Sequence, residues 1–408
     1  MSERADAGRG GVWSEVVGSL LKLGATSYGG PAIMGVMQAE LQEKRQWVSK
    51  PRFVEGLSVV NMLPGATATQ LAIFLGYARG GWWGGFFGGL CFVLPAFVVM
   101  LALTLAYATL GVSPLVQGAL YGLGPVVIAI FAVAVYRLGR AAASTWQEVV
   151  IGVLAAAVLL WSPLGVAVIL VLAGGAGLLV FHSRTPGAVL AVLAVSGPAV
   201  SALWWPSALT MSGGMPRAAS LVDLGAYFFK VGAFTIGGGL TMIAFIQQQV
   251  VDQFHWLTAR EFIDGLALGQ LTPGPVLMLA AYVGYKVAGI AGALVAATMA
   301  FLPSFVIMLV VLPVLDRVRK LAWVRAVMKG MGPAVIGVLA VSLVRLAPAA
   351  LPDLFAVAIL VATLLVLTLT RVGPFRLMIA ASLLGVLRSR LSWWPGLKLA
   401  GRVMSAGG

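Results

Sequence analysis

The sequence predicts an all-α, polytopic membrane protein built from two inverted-topology repeats with broken or re-entrant helices. Three observations predict it. Hydrophobic residues fill 60% of the 408 positions and charged residues only 10%, against about 25% charged in soluble domains. The second half of the chain repeats the first at a nearly constant separation. The basic loops of one copy correspond to uncharged or acid-bearing loops of the other.

Composition removes several function classes first. With a mean hydropathy of +1.00, the chain has to use the bilayer as its solvent. Stretches such as 84–108 and 149–181 are apolar on every face, whereas an outer-membrane barrel strand alternates apolar and polar over roughly 10 residues. The net charge of +14 is no nucleic-acid signal, because Lys and Arg gather in short loops such as 44–52 and 317–329, where cytoplasmic connections concentrate them. One cysteine, Cys91, and two histidines, His182 and His255, cannot assemble a disulfide or a Cys/His metal site. No metal and no cofactor are expected, and a membrane enzyme acting on lipid-linked substrates would need clustered acids or histidines. The first apolar run, 12–37, is long, contains Lys22 and has no small-residue cleavage site, so it reads as a retained segment and not a signal peptide.

The repeat organises everything else. LLKLGATSYGGPAIM from Leu20 aligns with FFKVGAFTIGGGLTM from Phe228, which puts Lys230 208 residues after Lys22. RQWVSKPRF (45–53) then meets FHWLTAREF (254–262) at a separation of 209, and NMLPGATATQLAIFLGY (61–77) meets GQLTPGPVLMLAAYVGY (269–285). Leu94-Pro95 matches Leu302-Pro303, and Arg137 matches Arg345. Each half carries six segments, a to f, at 14–38, 55–78, 82–108, 115–136, 147–161 and 164–181, then at 222–249, 263–285, 288–315, 327–346, 352–369 and 374–390. With an extra apolar segment near 187–208, about 10 to 13 membrane segments follow at roughly 20 residues per span. The expected organisation is a cytoplasmic or interfacial tail at 1–13, a first repeat at 14–185, a linker at 186–221, a second repeat at 222–395 and a tail at 396–408.

Charge sets the orientation. The a–b loop carries Lys44, Arg45, Lys50 and Arg52 in the first half, but Arg260 against Asp252, Glu261 and Asp264 in the second. The c–d loop reverses this, uncharged over 108–115 but bearing Arg317, Arg319, Lys320 and Arg325 in the second copy. The positive-inside rule therefore turns the halves opposite ways, the arrangement of inverted-repeat transporters with a midplane site at the repeat interface. In the first half the a–b and c–d loops fall on opposite sides only if b does not fully cross, which makes b re-entrant or broken.

Helix breakers support this independently. Gly29-Gly30-Pro31 and Gly237-Gly238-Gly239 interrupt segment a, and Pro64-Gly65 and Thr272-Pro273-Gly274-Pro275 interrupt segment b. Proline removes a backbone donor, and freed groups in hydrocarbon need protein or a water-filled cavity around them. Half-helix N-termini exposed at such breaks attract anions. Lys22 and Lys230 lie seven residues before the glycine clusters, costly inside a membrane unless a partner, a pathway or a bound anion retains them; snorkelling is the alternative. Asn61, Thr67, Thr69, Gln70, Gln270 and Thr272 flank the breaks, either as neutral ligands for an oxyanion or as partners for freed backbone groups. Glu55 and Asp264 open segment b, as proton carriers or as acids favoured by the helix macrodipole. The Gly84/Gly88 and Gly85/Gly89 pairs read as close helix packing. The expected mechanism holds a divalent oxyanion between the breaks while one repeat rocks against the other.

The motifs YGGPA at Tyr28, KRQWVS at Lys44, NMLPGATATQLAIFLGY at Asn61 and FVLPAF at Phe92, repeated as GAFTIGGG, HWLTAREF, LTPGPVLMLAAYVGY and FLPSF, resemble the chromate ion transporter family in its two-domain form. The resemblance covers about 20–137 and 224–345. It implies chromate export across the cytoplasmic (inner) membrane, coupled to the proton gradient, with sulfate as a similar oxyanion that competes or is carried. It gives weight to Gly29, Gly30, Pro31, Pro64, Gly65, Gln70, Gly238, Pro273, Gly274 and Pro275, and leaves a homodimer open. The chain departs once from the family pattern, with Pro64-Gly65-Ala66 where many members have Pro-Gly-Pro, while the second half keeps Pro273-Gly274-Pro275.

Overall fold

A computed structural model of the protein describes residues 2–28, 31–110, 113–142, 145–162, 164–182, 220–235, 241–314, 321–370 and 372–392. The extra segment near 187–208 and the C-terminal tail lie outside the described residues. Among the described residues the structure is helical, with no strand.

The first half begins with α1 (Ser2–Thr26), an interruption, and α2 (Pro31–Met37), which runs on as a π-helix over Gln38–Lys44. Helix α3 (Lys50–Met62) starts where Ser49 accepts a hydrogen bond from the Arg52 N–H and Pro51 occupies the first turn, where its missing donor is harmless. It stops at Leu63, ahead of Pro64. Helix α4 (Thr67–Leu110) is two helices, 67–79 and 82–110, joined by a turn at Gly80 and Gly81. Gly81 has φ +66, a conformation cheap only for glycine.

The two arms of α4 double back on each other. A Cβ on Gly76 would strike the Gly84 carbonyl, and one on Gly88 would meet Leu20 and Gly76, so the glycine pairs are close-packing positions, as expected. Gly56 of α3 lies against the Phe74 ring in the same way. Segment b therefore enters as α3, turns at 63–66 and returns as 67–79. Segment a does the same: Glu15 near its start accepts a hydrogen bond from Trp47 Nε1 at 2.8 Å, and Arg79 lies 2.8 Å from the same carboxylate. Both hairpins thus open at one end of the molecule. The sequence anticipated a re-entrant b; that a is re-entrant too is an addition.

After α5 (Pro114–Ala142), α6 (Trp146–Trp161) and α7 (Val166–Phe181), the second half repeats the plan. It comprises α8 (Leu221–Phe234), α9 (Thr241–Ile246) with a π-helix at Gln247–Gln253, α10 (Ala259–Leu271), and α11 (Leu279–Val311) behind a 3-10 turn at Val276–Met278. Helices α12 (Ala322–Ala350), α13 (Leu354–Leu369) and α14 (Pro374–Ser392) complete it. Correspondence reaches fine detail. Gly289 (φ +62) repeats Gly81, and Gln46 and His255 both take φ 52 after their π-helices.

The ends of the long helices fix the relative orientation. Helix 82–110 leaves the Glu15 end and reaches Tyr107, whose hydroxyl donates to Asp264 Oδ2 at 3.1 Å. Asp264 sits beside the mouth of the second-half hairpin, where Lys286 pairs with Glu261 at 2.7 Å. In return, Met308 and Leu309 of α11 and Leu312 just after it pack with Ile33, Trp47 and Phe53 at the first-half mouth. The two sets of hairpins open at opposite ends, so the repeats are inverted. Helix 82–110 is about 43 Å long at 1.5 Å per residue, ample for a hydrocarbon layer of about 30 Å. Helices α6 and α7, of 16 residues each, reach only about 24 Å. Among the described residues four helices are long and apolar enough to cross a membrane, and three shorter apolar ones accompany them.

Candidate functional site

The interrupted helices of the two halves meet inside the molecule, tip to tip. The Gly65 N–H donates to the Thr235 carbonyl at 2.6 Å, and the Gly274 N–H donates to the Ser27 carbonyl at 2.8 Å. These are equivalent bonds: each b-segment tip of one repeat is tied to the a-segment of the other, just before its glycine cluster. Gly65 has φ +127 and Gly274 φ +97, so both tips need glycine. Entering from opposite ends and joined here, the two b-segment tips and the a-segment ends at Ser27 and Thr235 define a junction at the inverted-repeat interface, where substrate sites of such folds lie.

The two tips differ in one physical respect. The Ala66 N–H donates to Ser304 Oγ at 2.8 Å, and Ser304 is fully buried. The equivalent residues in the other half are Pro275, which has no N–H, and Ala96, which has no hydroxyl; a Cβ on Gly274 would lie 2.8 Å from that of Ala96. The missing proline at position 66 is therefore matched by a serine that takes up the donor it leaves behind. Ser304 was passed over in the sequence, although the contrast of LPA (94–96) with LPS (302–304) beside Gly-Ala and Gly-Pro carries the signal.

The remaining predicted residues fall into three groups. Some serve the backbone: Thr272 Oγ1 donates to the Leu268 carbonyl at 2.8 Å, and Gln70 Nε2 donates to the freed Pro64 carbonyl at 2.6 Å. Others have polar atoms left over. Ser27 Oγ, Thr69 Oγ1 and Gln70 Oε1 are buried without a hydrogen-bond partner, and buried polar groups of that kind call for an explanation. The rest differ in exposure: Asn61 is exposed, Gln270 is half-buried, and Lys22 sits on the exposed face of α1 while its counterpart Lys230 is half-buried. Thr67 is buried at the start of helix 67–79, Pro273 and Pro275 are buried, Pro64 is half-buried, and Pro31 opens α2. Gly29, Gly30, Gly237, Gly238 and Gly239 lie outside the described residues.

Glu55 and Asp264 mark the two opposite mouths. Glu55 pairs with Arg52 at 3.2 Å, its side chain 32% exposed. Asp264, 8% exposed, lies 3.3 Å from Arg260 Nε and accepts from Tyr107. Away from the junction, Asp353 caps α13 and pairs with Arg388 at 2.7 Å. That guanidinium hydrogen bond, reinforced by the Tyr121 hydroxyl, holds the Asp353 carboxyl well below the usual carboxylate range. Among the described residues no group of three His, Cys, Asp or Glu could hold a metal ion.

Comparisons with known proteins agree with this plan. A family model described as chromate transporter matches residues 14–180 and 222–386, one match per repeat. The chain is 32% identical over 392 residues to a chromate transport protein of Cupriavidus metallidurans, covering 91% of this chain and 92% of that one. It is 33% identical over 350 residues to a probable chromate transport protein of Synechococcus elongatus (82% and 84% covered). To a chromate transport protein of Pseudomonas aeruginosa it is 31% identical over 345 residues (82% and 81% covered). No solved structure matches the chain. Two half-chain matches and full-length similarity to transporters establish that the chain is a membrane transporter and not an enzyme, and that it belongs to the chromate transporter family.

Proposed function

We propose that the protein exports chromate from the cytoplasm by alternating access, with the oxyanion held at the junction of the interrupted helices. The single observation that carries this is the reciprocal pair of tip-to-tip bonds, Gly65 to Thr235 and Gly274 to Ser27. It makes one junction reachable in turn from two mouths on opposite faces, which is the geometry rocking of one repeat against the other exploits. The first-half mouth carries Lys44, Arg45, Lys50, Arg52 and Arg79, and the positive-inside rule assigns it to the cytoplasmic face of the inner membrane. Helix breaks at the junction supply N–H groups to the anion, and Lys22 and Lys230, two turns up the entering arms, draw it toward the tips. Glu55 and Asp264, one at each mouth, are the acids positioned to exchange the coupling proton.

The test is flux of labelled chromate in inverted membrane vesicles, with and without an imposed proton gradient. Uptake that depends on the protein and on the gradient is expected, together with lower intracellular chromate in cells that carry it. Protein-dependent flux of sulfate with none of chromate would replace the cargo; no flux of either would remove the reading.

A further inference from the structure

The two tips are not chemically equivalent, and the difference says where the anion sits and in which form. Helix 67–79 opens with Thr67-Ala68-Thr69-Gln70, whereas the second-half helix opens with Val276-Leu277-Met278-Leu279. Thr67, Thr69 and Gln70 are 3%, 0% and 0% exposed. The first N–H groups of a helix lack intrahelical partners, and side chains of the first turn lean back toward the helix N-terminus, here toward Gly65. A Cβ on Gly65 would in fact collide with Gln70 Nε2, so that amide is at the tip.

In the first turn of that helix Thr69 Oγ1 and Gln70 Oε1 are both buried without a hydrogen-bond partner. The amide orientation is fixed: Nε2 donates to the Pro64 carbonyl, and turning it round would set two acceptors against each other. What Gln70 leaves free is an acceptor, while Thr69 and the opening N–H groups are donors. A fully ionised oxyanion offers nothing to that acceptor. An oxyanion that keeps one hydroxyl satisfies it. The second tip offers no such set, because Thr272 Oγ1 already donates to Leu268 and apolar side chains follow.

Building on the oxyanion-transport reading above, we propose that the first-half tip alone is the substrate seat. It takes a singly protonated tetrahedral oxyanion: Gln70 Oε1 accepts the anion's hydroxyl, and Thr69 Oγ1 and the opening N–H groups of helix 67–79 donate to its oxygens. Chromate takes up a proton near neutrality and fits; sulfate does so only in strong acid and does not.

The test is anion-dependent thermal stabilisation of the purified full-length protein in detergent, where no gradient exists, with chromate and sulfate at mildly acidic and mildly alkaline pH. Chromate should stabilise the protein more at the acidic pH, and sulfate should have no effect. Gln70→Leu and Thr69→Val should each weaken chromate binding about ten- to hundredfold, as loss of a hydrogen bond to a charged ligand does; Thr69→Val should keep the melting temperature of the anion-free protein near wild type, while Gln70→Leu lowers it because the Pro64 carbonyl loses its donor. Thr69→Ser, which keeps the hydroxyl, and Met278→Leu at the other tip should bind as wild type. Equal stabilisation by sulfate, equal stabilisation at both pH values, or an unaffected Gln70→Leu variant would overturn the seat while chromate flux by the wild type kept the transport reading intact. A wild-type protein that neither transports chromate nor is stabilised by it would remove both.

Discussion

Replacing Ser304 by alanine tests the account of the missing proline. In the native junction the Ala66 N–H has one partner, Ser304 Oγ at 2.8 Å, and Ser304 is fully buried. Ser304→Ala leaves that N–H unpaired in an apolar interior, at a cost of about 1–3 kcal/mol. Ala66→Pro deletes the donor and sets its Cδ where the amide hydrogen pointed at Ser304 Oγ, so the same serine change made on that background should cost nothing and relieve that contact. The equivalent Pro275 sits at φ −76, inside the range proline imposes, so the fold accepts proline at this kind of tip. The double variant Ala66→Pro, Ser304→Ala then reproduces at the first tip the chemistry of the second. Thermal unfolding in detergent should show Ser304→Ala less stable than wild type and the double variant at least as stable as Ala66→Pro alone, a coupling of at least about 1–3 kcal/mol across the cycle. If the double variant loses as much as Ser304→Ala does, the serine is not there to take up the donor and the reasoning fails.

With Cys91 replaced by serine, single cysteines at Lys50 and Gln253, both exposed near the two a–b loops, should react with an impermeant thiol reagent from opposite faces of sealed vesicles; reaction from one face would refute the inversion. Gly81→Ala should cost about 1–2 kcal/mol from backbone strain alone, since a Cβ there meets nothing within 4 Å. Gly24→Ala should cost more, because its Cβ would drive against the Phe92 backbone and force two helices apart; melting temperatures rank the two. Asp353 has its carboxyl held below the ordinary range by Arg388, so its stabilisation is complete above the normal carboxylate pKa and fades as the pH falls through the lowered native one. A melting series against pH should show Asp353→Asn and wild type differing at neutral pH and converging in strong acid. Glu15→Gln removes the charge that pairs with Arg79 and Arg45 and leaves one acceptor oxygen where Trp47, Arg79 and Arg45 share two, and should raise labelling of a cysteine at Ser27 several-fold, each partly exposed pair contributing at most about 1 kcal/mol.

What could be read from the sequence was whatever depends on spacing. The repeat offset located the breaks, the loop charges gave the inversion, and the requirement that the a–b and c–d loops lie on opposite sides forced b to be re-entrant. Segment a escaped because no comparable constraint bears on it: α1 and α2 together are as long as one tilted span, and only the contact of Glu15 with Trp47 and Arg79 folds them back. The tips illustrate the same boundary. Pro64-Gly65 announces an interruption, but which carbonyl receives the Gly65 N–H depends on packing between residues 170 positions apart, Gly65 and Thr235. Depth in an apolar run singles out Lys22 but says nothing about the direction in which it points. The buried stripe of α1 runs through Val16, Leu20 and Leu23, and Lys22 faces away from it.

Alternating access asks for two states of similar energy, and inverted copies supply them to first order, because exchanging the conformations of the repeats exchanges the open face. Departures from symmetry then set the bias. At the mouths the departures are small. One is closed by Glu15 with Arg79 and Arg45, the other by Glu261 with Lys286 and Asp264 with Arg260. Each of these pairs keeps at least one partly exposed partner, Asp264 being the buried member of its own, and such pairs contribute about 0–1 kcal/mol each, so neither face is sealed by more than a few kcal/mol and the minor state stays within reach of a ligand. At the tips the departure is chemical: polar side chains and a serine-held N–H on one side, proline, alanine and apolar side chains on the other. Under the proposed mechanism the symmetric part of the chain therefore provides the motion, and the asymmetric part decides what is carried. Substitutions at the mouths should then change the rate and the preferred face, and those at Thr69 and Gln70 the choice of anion.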